Sequence, residues 1–424
     1  MSDRPRAIVV VTGSELVRGE RIDRNGPLYA REALSLGLVP ERIVIVWDDP
    51  QDLEAALRAA DDADICLVSG GLGPTHDDRT VEIVARVAGA PLRVDTELES
   101  RIEGISRRVA ERLGRPYGDF APGVTKQATV PEGAVVVGIA GTAPGLVVQG
   151  RRCVYVVMPG PPGELRRLWP AAVASEPVQA VLGRTSPPGR RVLRFYGVSE
   201  SAVARALAEA GGDGDGVEAT ICARDFEIHV DLVVEPGAEA RADALATSFL
   251  EPIGAYLFTE DERSVAEIVL GLCRGRGLRL ATAESCTGGL VAARLTDVPG
   301  SSDVFAGGVV AYSNEVKTAE VGVPTAVIDR HGAVSAEVAQ AMAVGVRQRL
   351  GVDVGIAVTG VAGPDGGTEA KPVGLVYFHV STPDGERGGE FSLPADRETV
   401  RSRATVGALH LARRVLTQNR HEDV

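Results

Sequence analysis

Unbroken apolar runs rich in valine and isoleucine, each followed by an amphipathic stretch, most constrain how this chain can fold. AIVVV (7–11), RIVIVW (42–47) and DICLVSGG (64–71) are too uniformly apolar to keep one face in water. NGPLYAREALSLG (25–37) and QDLEAALRAADD (51–62) lie between them with helical spacing. Strands buried on both faces and separated by helices make a parallel sheet covered on either side. RTVEIVARVAG extends the series, and RRCVYVVMPGPPGELRRLW (151–169) adds a strand, a turn and a helix. An α/β domain is therefore predicted over residues 1–175.

The pattern changes after a connecting stretch, EPVQAVLGRTSPPG (176–189). RRVLRFYGV, SESAVARALAEA, VEATICA, FEIHVDLVVE, AEARADALATSFLEPIG and AYLFTED read as strand, helix, strand, strand, helix, strand. That is a small α+β module over 190–259, KH-like in its order. Its GGDG (211–214) matches the string of a nucleic-acid-clamping loop, but Asp213 and Asp215 would repel phosphates. A third domain, 264–418, alternates helices and strands again, through RLATAES, FAGGVVAYSN (305–314), VGIAVTGVAGP (354–364) and a closing helix DRETVRSRATVGALHLARRVL. The predicted class is α/β: two parallel-rich α/β sandwich domains joined by a small α+β (KH-like) module.

Composition removes several function classes. The net charge of −13 disfavours a surface that coats a phosphate backbone, and 4% aromatics leave few stacking platforms. No direct nucleic-acid partner is expected. The five cysteines are odd in number, scattered, and form no CxxC, which suits reduced thiols in a cytoplasm. No apolar stretch is long enough for a signal peptide or a membrane span, so no membrane partner is expected. The many apolar helices leave a homodimer open.

Two groups of glycine motifs stand where chemistry gathers in such sheets, at the carboxyl ends of strands. The first is SGGLGPTHDDRT (69–80), with GSEL (13–16), GTAPG (141–145) and MPGPPGEL (158–165). Glycines let backbone amides approach an anion. Asp77 and Asp78 would repel a pyrophosphate unless a divalent cation such as Mg²⁺ or Mn²⁺ lay between. The plainer reading is that both aspartates cap the next helix.

The second group is AESCTGG (283–289), AYSNEVK (311–317), VTGVAGPDGG (358–367) and DRETVRSR (396–403). Hydrolysis of a carboxamide needs a nucleophile, a proton acceptor and donors for an oxyanion. His331 and His379 lie outside the glycine motifs, so a Ser-His-Asp triad is not indicated. A lysine in a desolvated pocket can replace the histidine, and Lys317 is the candidate, with Tyr312 as relay or orienter. Gly288 and Gly289 would leave helix-start amides for an oxyanion or a phosphate. Ser285 and Cys286 both remain possible nucleophiles on chemistry alone.

Together these motifs, in this order, resemble the CinA family, whose molybdopterin-binding-like N-terminal domain is fused to a nicotinamide mononucleotide amidohydrolase domain. The resemblance runs from about Ala7 to Leu416. For the N-terminal domain it implies a nucleotide site at Glu15, Gly70, Gly71, Gly73, Thr75, Thr80, Gly141, Thr142 and Gly145, with metal at Asp77 and Asp78. The implied partner there is an ADP-ribose-like nucleotide. For the C-terminal domain it implies Ser285 as nucleophile and pyridine nucleotides as substrates, with no cofactor. Thr287, Gly288, Gly289, Asn314, Thr359, Gly360 and Gly363 would contact substrate, and Arg401, ahead of Arg403, would take the 5′-phosphate.

This chain departs from the family at GSELVRGERI (13–22), at Val124 before KQA, and at Ile139–Ala140 before GTAPG. Side-chain donors are lost at each place, so binding without turnover competes with pyrophosphate hydrolysis. A molybdopterin- or nucleotide-binding protein without catalysis and a competence or recombination partner are the alternative functions.

Overall fold

The computed structural model describes residues 4–418. The chain divides into two compact units. The first runs to Gly189 and takes in Glu235–Gly237; the second comprises Arg190–Val234 and the residues from Ala238 on.

In the first unit the strands are β1 (Arg6–Thr12), β2 (Val39–Val46), β3 (Ile65–Ser69), β4 (Leu92–Val94), β5 (Thr129–Pro131), β6 (Val135–Ala140), β7 (Ala143–Gln149) and β8 (Val154–Met158). The helices are α1 (Ser14–Val17), α2 (Asn25–Ser35), α3 (Pro50–Ala60), α4 (Thr80–Ala88), α5 (Thr96–Leu113), α6 (Ala121–Ala128), α7 (Pro162–Val173) and α8 (Glu176–Leu182). The main sheet has the order β2-β1-β3-β8-β7-β6. Its first four strands are parallel, β7 runs antiparallel to β8, and β6 is antiparallel to β7 in turn. Every residue of β3 and β8 is buried, as their unbroken apolar composition requires. One core lies on each face of the sheet, with Leu57, Ile83 and Tyr155 in one and Tyr29, Leu165 and Trp169 in the other.

The second unit opens with β9 (Gly189–Phe195), α9 (Glu200–Glu209), β10 (Val217–Arg224), β11 (Glu227–Val234), α10 (Glu239–Ile253) and β12 (Leu257–Thr259). This is the predicted α+β module, its sheet ordered β10-β11-β9-β12. There follow α11 (Val265–Gly275), β13 (Leu280–Glu284), α12 (Leu290–Thr296), β14 (Phe305–Val310), α13 (Asn314–Val321), α14 (Thr325–His331), α15 (Ala336–Leu350), β15 (Val354–Gly360), β16 (Leu375–Thr382), β17 (Gly385–Ser392) and α16 (Arg397–Gln418). The sheet order is β14-β13-β15-β16-β17, parallel across β14, β13 and β15 and antiparallel beyond. Two expectations change. The YSNEVK segment enters helix α13 rather than ending a strand, because Ser313 caps it by accepting from the Val316 amide. The stretch CTGGLVAARLTDV (286–298), which reads as a helix from Cys286 in the sequence, becomes helical only at Leu290, since Gly288 and Gly289 hold φ of +62° and +98°.

Among the described residues no helix is long and apolar enough to cross a membrane.

Candidate functional sites

The stronger site lies where β13, β15 and the start of α13 meet. Ser285 directly follows β13 and donates its amide to Val358 O of β15 at 2.9 Å, which fixes the backbone at this serine. Lys317, one turn into α13, points back at it. Its Nζ lies 3.0 Å from Ser285 Oγ, 3.0 Å from Ala311 O and 3.1 Å from Tyr312 O. Lys317 is 2% exposed, and burial holds its amine below the ordinary lysine range against the opposing pull of Cys286 and Glu315. In the neutral form of the amine, two hydrogens given to these carbonyls would leave the lone pair for the serine hydroxyl.

Ser285 and Lys317 line a cavity of about 200 Å³ with Cys286, Tyr312, Asn314, Ala333, Val334, Thr359, Gly360, Ala362 and Arg397. Thr359 is fully buried and donates to Ala333 O, so it shapes the wall. Gly360 lies on β15, where a side chain would strike Leu375 O at 2.8 Å. Gly363 is buried beside the cavity, and its carbonyl accepts from Arg397 at 2.8 Å. Cys286 is also buried, and its thiol is pushed up to about 12 by desolvation, which disfavours the reactive thiolate.

Several residues hold other positions than the sequence suggested. Tyr312 is 57% exposed at the rim; its hydroxyl accepts from Arg397 at 2.9 Å, and only its backbone carbonyl meets Lys317. Arg401 does not line the cavity. It donates to Cys286 O at 3.1 Å and Thr287 O at 2.9 Å, holding the nucleophile turn instead of waiting for a phosphate. Arg403 lies over the Phe226 and Phe391 rings. The arginine at the cavity mouth is Arg397, four residues earlier on the same helix. The Gly289 amide is also taken: it donates to Glu284 at 3.0 Å, as do the Val291 and Ala292 amides at 3.0 and 2.8 Å. Gly288 donates to Ser285 O. Thr287 is fully buried, with no partner for its hydroxyl. His331 and His379 sit beside Glu337 and Glu386, neither on the cavity wall.

In the first unit the glycine motifs open onto two clefts. A cleft of about 710 Å³ at the ends of β1, β3 and β8 is lined by Thr12, Glu15, Arg21, Asp23, Arg24, Asn25, Ser69 and Gly160 among others. Asn25 is buried, donates to Ser69 Oγ and Gly160 O, and leaves its own carbonyl oxygen unpartnered. Asp48 ties the β1 exit by accepting from Thr12 and Ser14. The sequence reading singled out neither Asn25 nor Asp48.

A smaller cleft of about 250 Å³ is lined by Gly71, Gly73, Asp78, Lys126 and Gln127, with neighbours from α4. Between the two lies Gly70, at φ +104°, where a side chain would meet Thr12 O at 2.5 Å. Thr80 is buried with an unpartnered hydroxyl, next to Gly71. Gly141, Thr142 and Gly145 line neither cleft. The first two form the β6–β7 hairpin turn, and Gly145 packs against Met158, Val137 and Leu168.

Asp77 and Asp78 both accept from the Thr75 hydroxyl, and Asp78 also accepts from the Thr75 amide at 3.0 Å. Among the described residues no group of three or more His, Cys, Asp or Glu side chains is placed to hold a metal. Two carboxylates on one turn still fit a hard cation such as Mg²⁺ that takes its remaining ligands from water and phosphate.

Comparison with known proteins places both halves. Residues 8–177 match the family described as probable molybdopterin binding domain, and residues 262–416 match the CinA C-terminal domain. A CinA-like protein of Mycobacterium tuberculosis is 46% identical over 431 residues, covering 98% of this chain and 99% of that one. One of Mycobacterium marinum is 46% identical over 429 residues, covering 99% and 100%. Among solved structures, competence/damage inducible protein CihA from Agrobacterium tumefaciens is 36% identical, with a TM-score of 0.35, covering 38% of this chain and all of its own. With relatives this similar over nearly its full length, the chain belongs to the CinA family.

Proposed function

We propose that the C-terminal domain hydrolyses the carboxamide of nicotinamide mononucleotide to nicotinate mononucleotide and ammonia. The observation that carries this reading is the buried 3.0 Å contact of Lys317 Nζ with Ser285 Oγ inside a cavity. At about 200 Å³ the cavity is smaller than the ~300 Å³ at which pockets for whole drug-sized ligands begin. It suits the reacting ring and amide, with the rest of the nucleotide at the mouth beside Tyr312 and Arg397. Arg397 supplies positive charge for the phosphate.

The residues divide the reaction as follows. Neutral Lys317 accepts the hydroxyl proton while Ser285 Oγ bonds to the amide carbon and the carbonyl electron pair moves onto oxygen. Collapse re-forms the carbonyl and breaks the C–N bond. The lysine returns its proton to the leaving nitrogen, so ammonia departs and a nicotinoyl ester remains on Ser285. Water then adds to that ester, giving a proton to Lys317, and collapse expels Ser285 Oγ, which takes the proton back. The test is ammonia release from nicotinamide mononucleotide by the full chain. Release well above that of Ser285→Ala supports the reading, and equal release by the two proteins ends it.

For the N-terminal domain we propose binding of an ADP-ribose-type pyrophosphate, with Asp77 and Asp78 holding a divalent cation jointly with the phosphates. The cation, when bound, would neutralise pyrophosphate charge. The unpartnered Asn25 Oδ1, on the wall of the larger cleft, supports a polar ligand there. Calorimetric titration with ADP-ribose should show affinity that rises with Mg²⁺ and loses that gain in Asp77→Ala. Affinity indifferent to both would refute the metal, and phosphate-bearing products in the same mixture would show turnover.

A further inference from the structure

The turn that carries Ser285 is held from two sides by groups of opposite kind. Glu284, the last residue of β13, is 1% exposed and takes three amides, those of Gly289, Val291 and Ala292, at 2.8–3.0 Å. Arg401, from α16, takes two carbonyls, those of Cys286 and Thr287. The peptide unit is planar and trans, so a fixed carbonyl fixes the opposite direction of the N–H that follows it. Arg401 on Cys286 O therefore sets the Thr287 amide. Other amides of the turn are engaged: Ser285 with Val358 O, Gly288 with Ser285 O and Leu290 with Thr287 O. Among the described residues the Cys286 and Thr287 amides are the ones in this turn that meet no oxygen acceptor; both lie against the Cys286 sulfur, a weak acceptor that an oxyanion would outcompete.

We propose that Glu284 and Arg401 are positioning residues that clamp the nucleophile turn, so that the Cys286 and Thr287 amides are presented to the oxygen of the tetrahedral adduct. The inference rests on the amidohydrolase reading of this site. Glu284 fills the start of α12 with the chain's own carboxylate and thereby keeps substrate phosphate away from those amides. Neither clamp residue touches substrate. Their loss blurs the geometry in which an oxyanion is stabilised without weakening substrate binding.

The experiment measures deamidation of nicotinamide mononucleotide by the full chain and by Glu284→Gln, Arg401→Gln, Arg401→Lys and the double Glu284→Gln/Arg401→Gln. Glutamine keeps the shape of Glu284 but sets an NH₂ donor against an amide donor. Lysine can serve one carbonyl of the two. The expected result is kcat lowered about ten- to a hundredfold in the Gln variants, below the roughly hundred- to thousandfold of a deleted oxyanion donor because the donors here are misaligned and not removed. KM stays within about twofold, Arg401→Lys recovers part of the loss, and the double variant is little worse than the poorer single one, as for residues acting as a unit. Wild-type kcat in Arg401→Gln and Glu284→Gln, or KM rising with kcat unchanged, would overturn the clamp. If Glu284→Gln does not fold, the arginine pair decides alone.

A second readout separates this from failure of the substrate assignment. Phenylmethylsulfonyl fluoride sulfonylates an activated serine: Ser285 Oγ bonds to sulfur, negative charge builds on the sulfonyl oxygens, fluoride leaves and the hydroxyl proton passes to Lys317. Its rate of mass addition at Ser285 needs no nucleotide. A wild-type chain inert to the mononucleotide but sulfonylated faster than the clamp variants would refute the substrate and support the clamp. A chain inert to both reagents ends both proposals.

Discussion

At the scale of single residues, Lys317 is the group on which activity should turn. In the proposed reaction its neutral form is the base, and burial favours that form, so kcat/KM should climb with pH to a plateau reached below the ordinary lysine range. Exposed Glu315 pulls the other way by favouring the ammonium. Glu315→Gln should therefore move the acidic limb to lower pH, and a limb that moves upward or stays would contradict the role of Lys317. Cys286 makes a contrasting case. Cys286→Ala should keep kcat within about threefold and cost roughly 1–2 kcal/mol in denaturant unfolding, the effect of a buried side chain made smaller. Iodoacetamide at neutral pH should mark Cys222, which is exposed, long before Cys286. Lys317 was legible in the sequence because its motif holds no other base that burial could activate, whereas Ser285 stood apart from the adjacent Cys286 only through the family resemblance. Arg397 was not, since three arginines share one helix stretch and only the fold shows which one faces the cavity and which is spent on carbonyls. Glu284 was equally opaque: a glutamate at a strand end is ordinary until three amides are seen to converge on it.

At the scale of elements, the position of Lys317 depends on how closely α13 lies against α15. Gly345 on α15 faces the end of α13, where an added Cβ would fall 1.6 Å from Val321 O. Alanine at this position gains about 1 kcal/mol in helix propensity. A clash with backbone costs more, typically 1–3 kcal/mol and sometimes beyond. Gly345→Ala should thus be less stable on balance and lose activity as α13 moves, visible as a lower melting temperature together with a reduced kcat. The strands buried on both faces were read from composition alone, because little else but a covered parallel sheet accommodates them. β17 was missed for the complementary reason: GERGGEFS is mostly exposed, rich in glycine and lacks apolar alternation, and only pairing with β16 makes it a strand. Helix α13 was missed, its first residues being read as a strand end, although Ser313 and Glu315 form a recognisable helix entry.

At the scale of the whole molecule, each unit has its own cores and its own candidate site. Thermal unfolding should then resolve into two transitions, one raised by nicotinamide mononucleotide and the other by ADP-ribose with Mg²⁺, since a ligand stabilises the unit that binds it. Both ligands raising a single shared transition would argue against independent units. Within the second unit, helix α16 serves two neighbourhoods. Near its start are Arg397 and Arg401. Further along, His410 is fully buried, bonded to Glu227 at 2.7 Å, stacked on Tyr196 at 3.7 Å and met edge-on by Phe258. Any shortened form of this chain that began after the α+β module would strip away Glu227, Tyr196 and Phe258 together. It would leave an imidazole and its apolar surroundings bare on the helix that steadies the reactive serine. A viable truncation would have to redress that seam, by swapping the histidine for a residue at ease in water or by covering it with another surface.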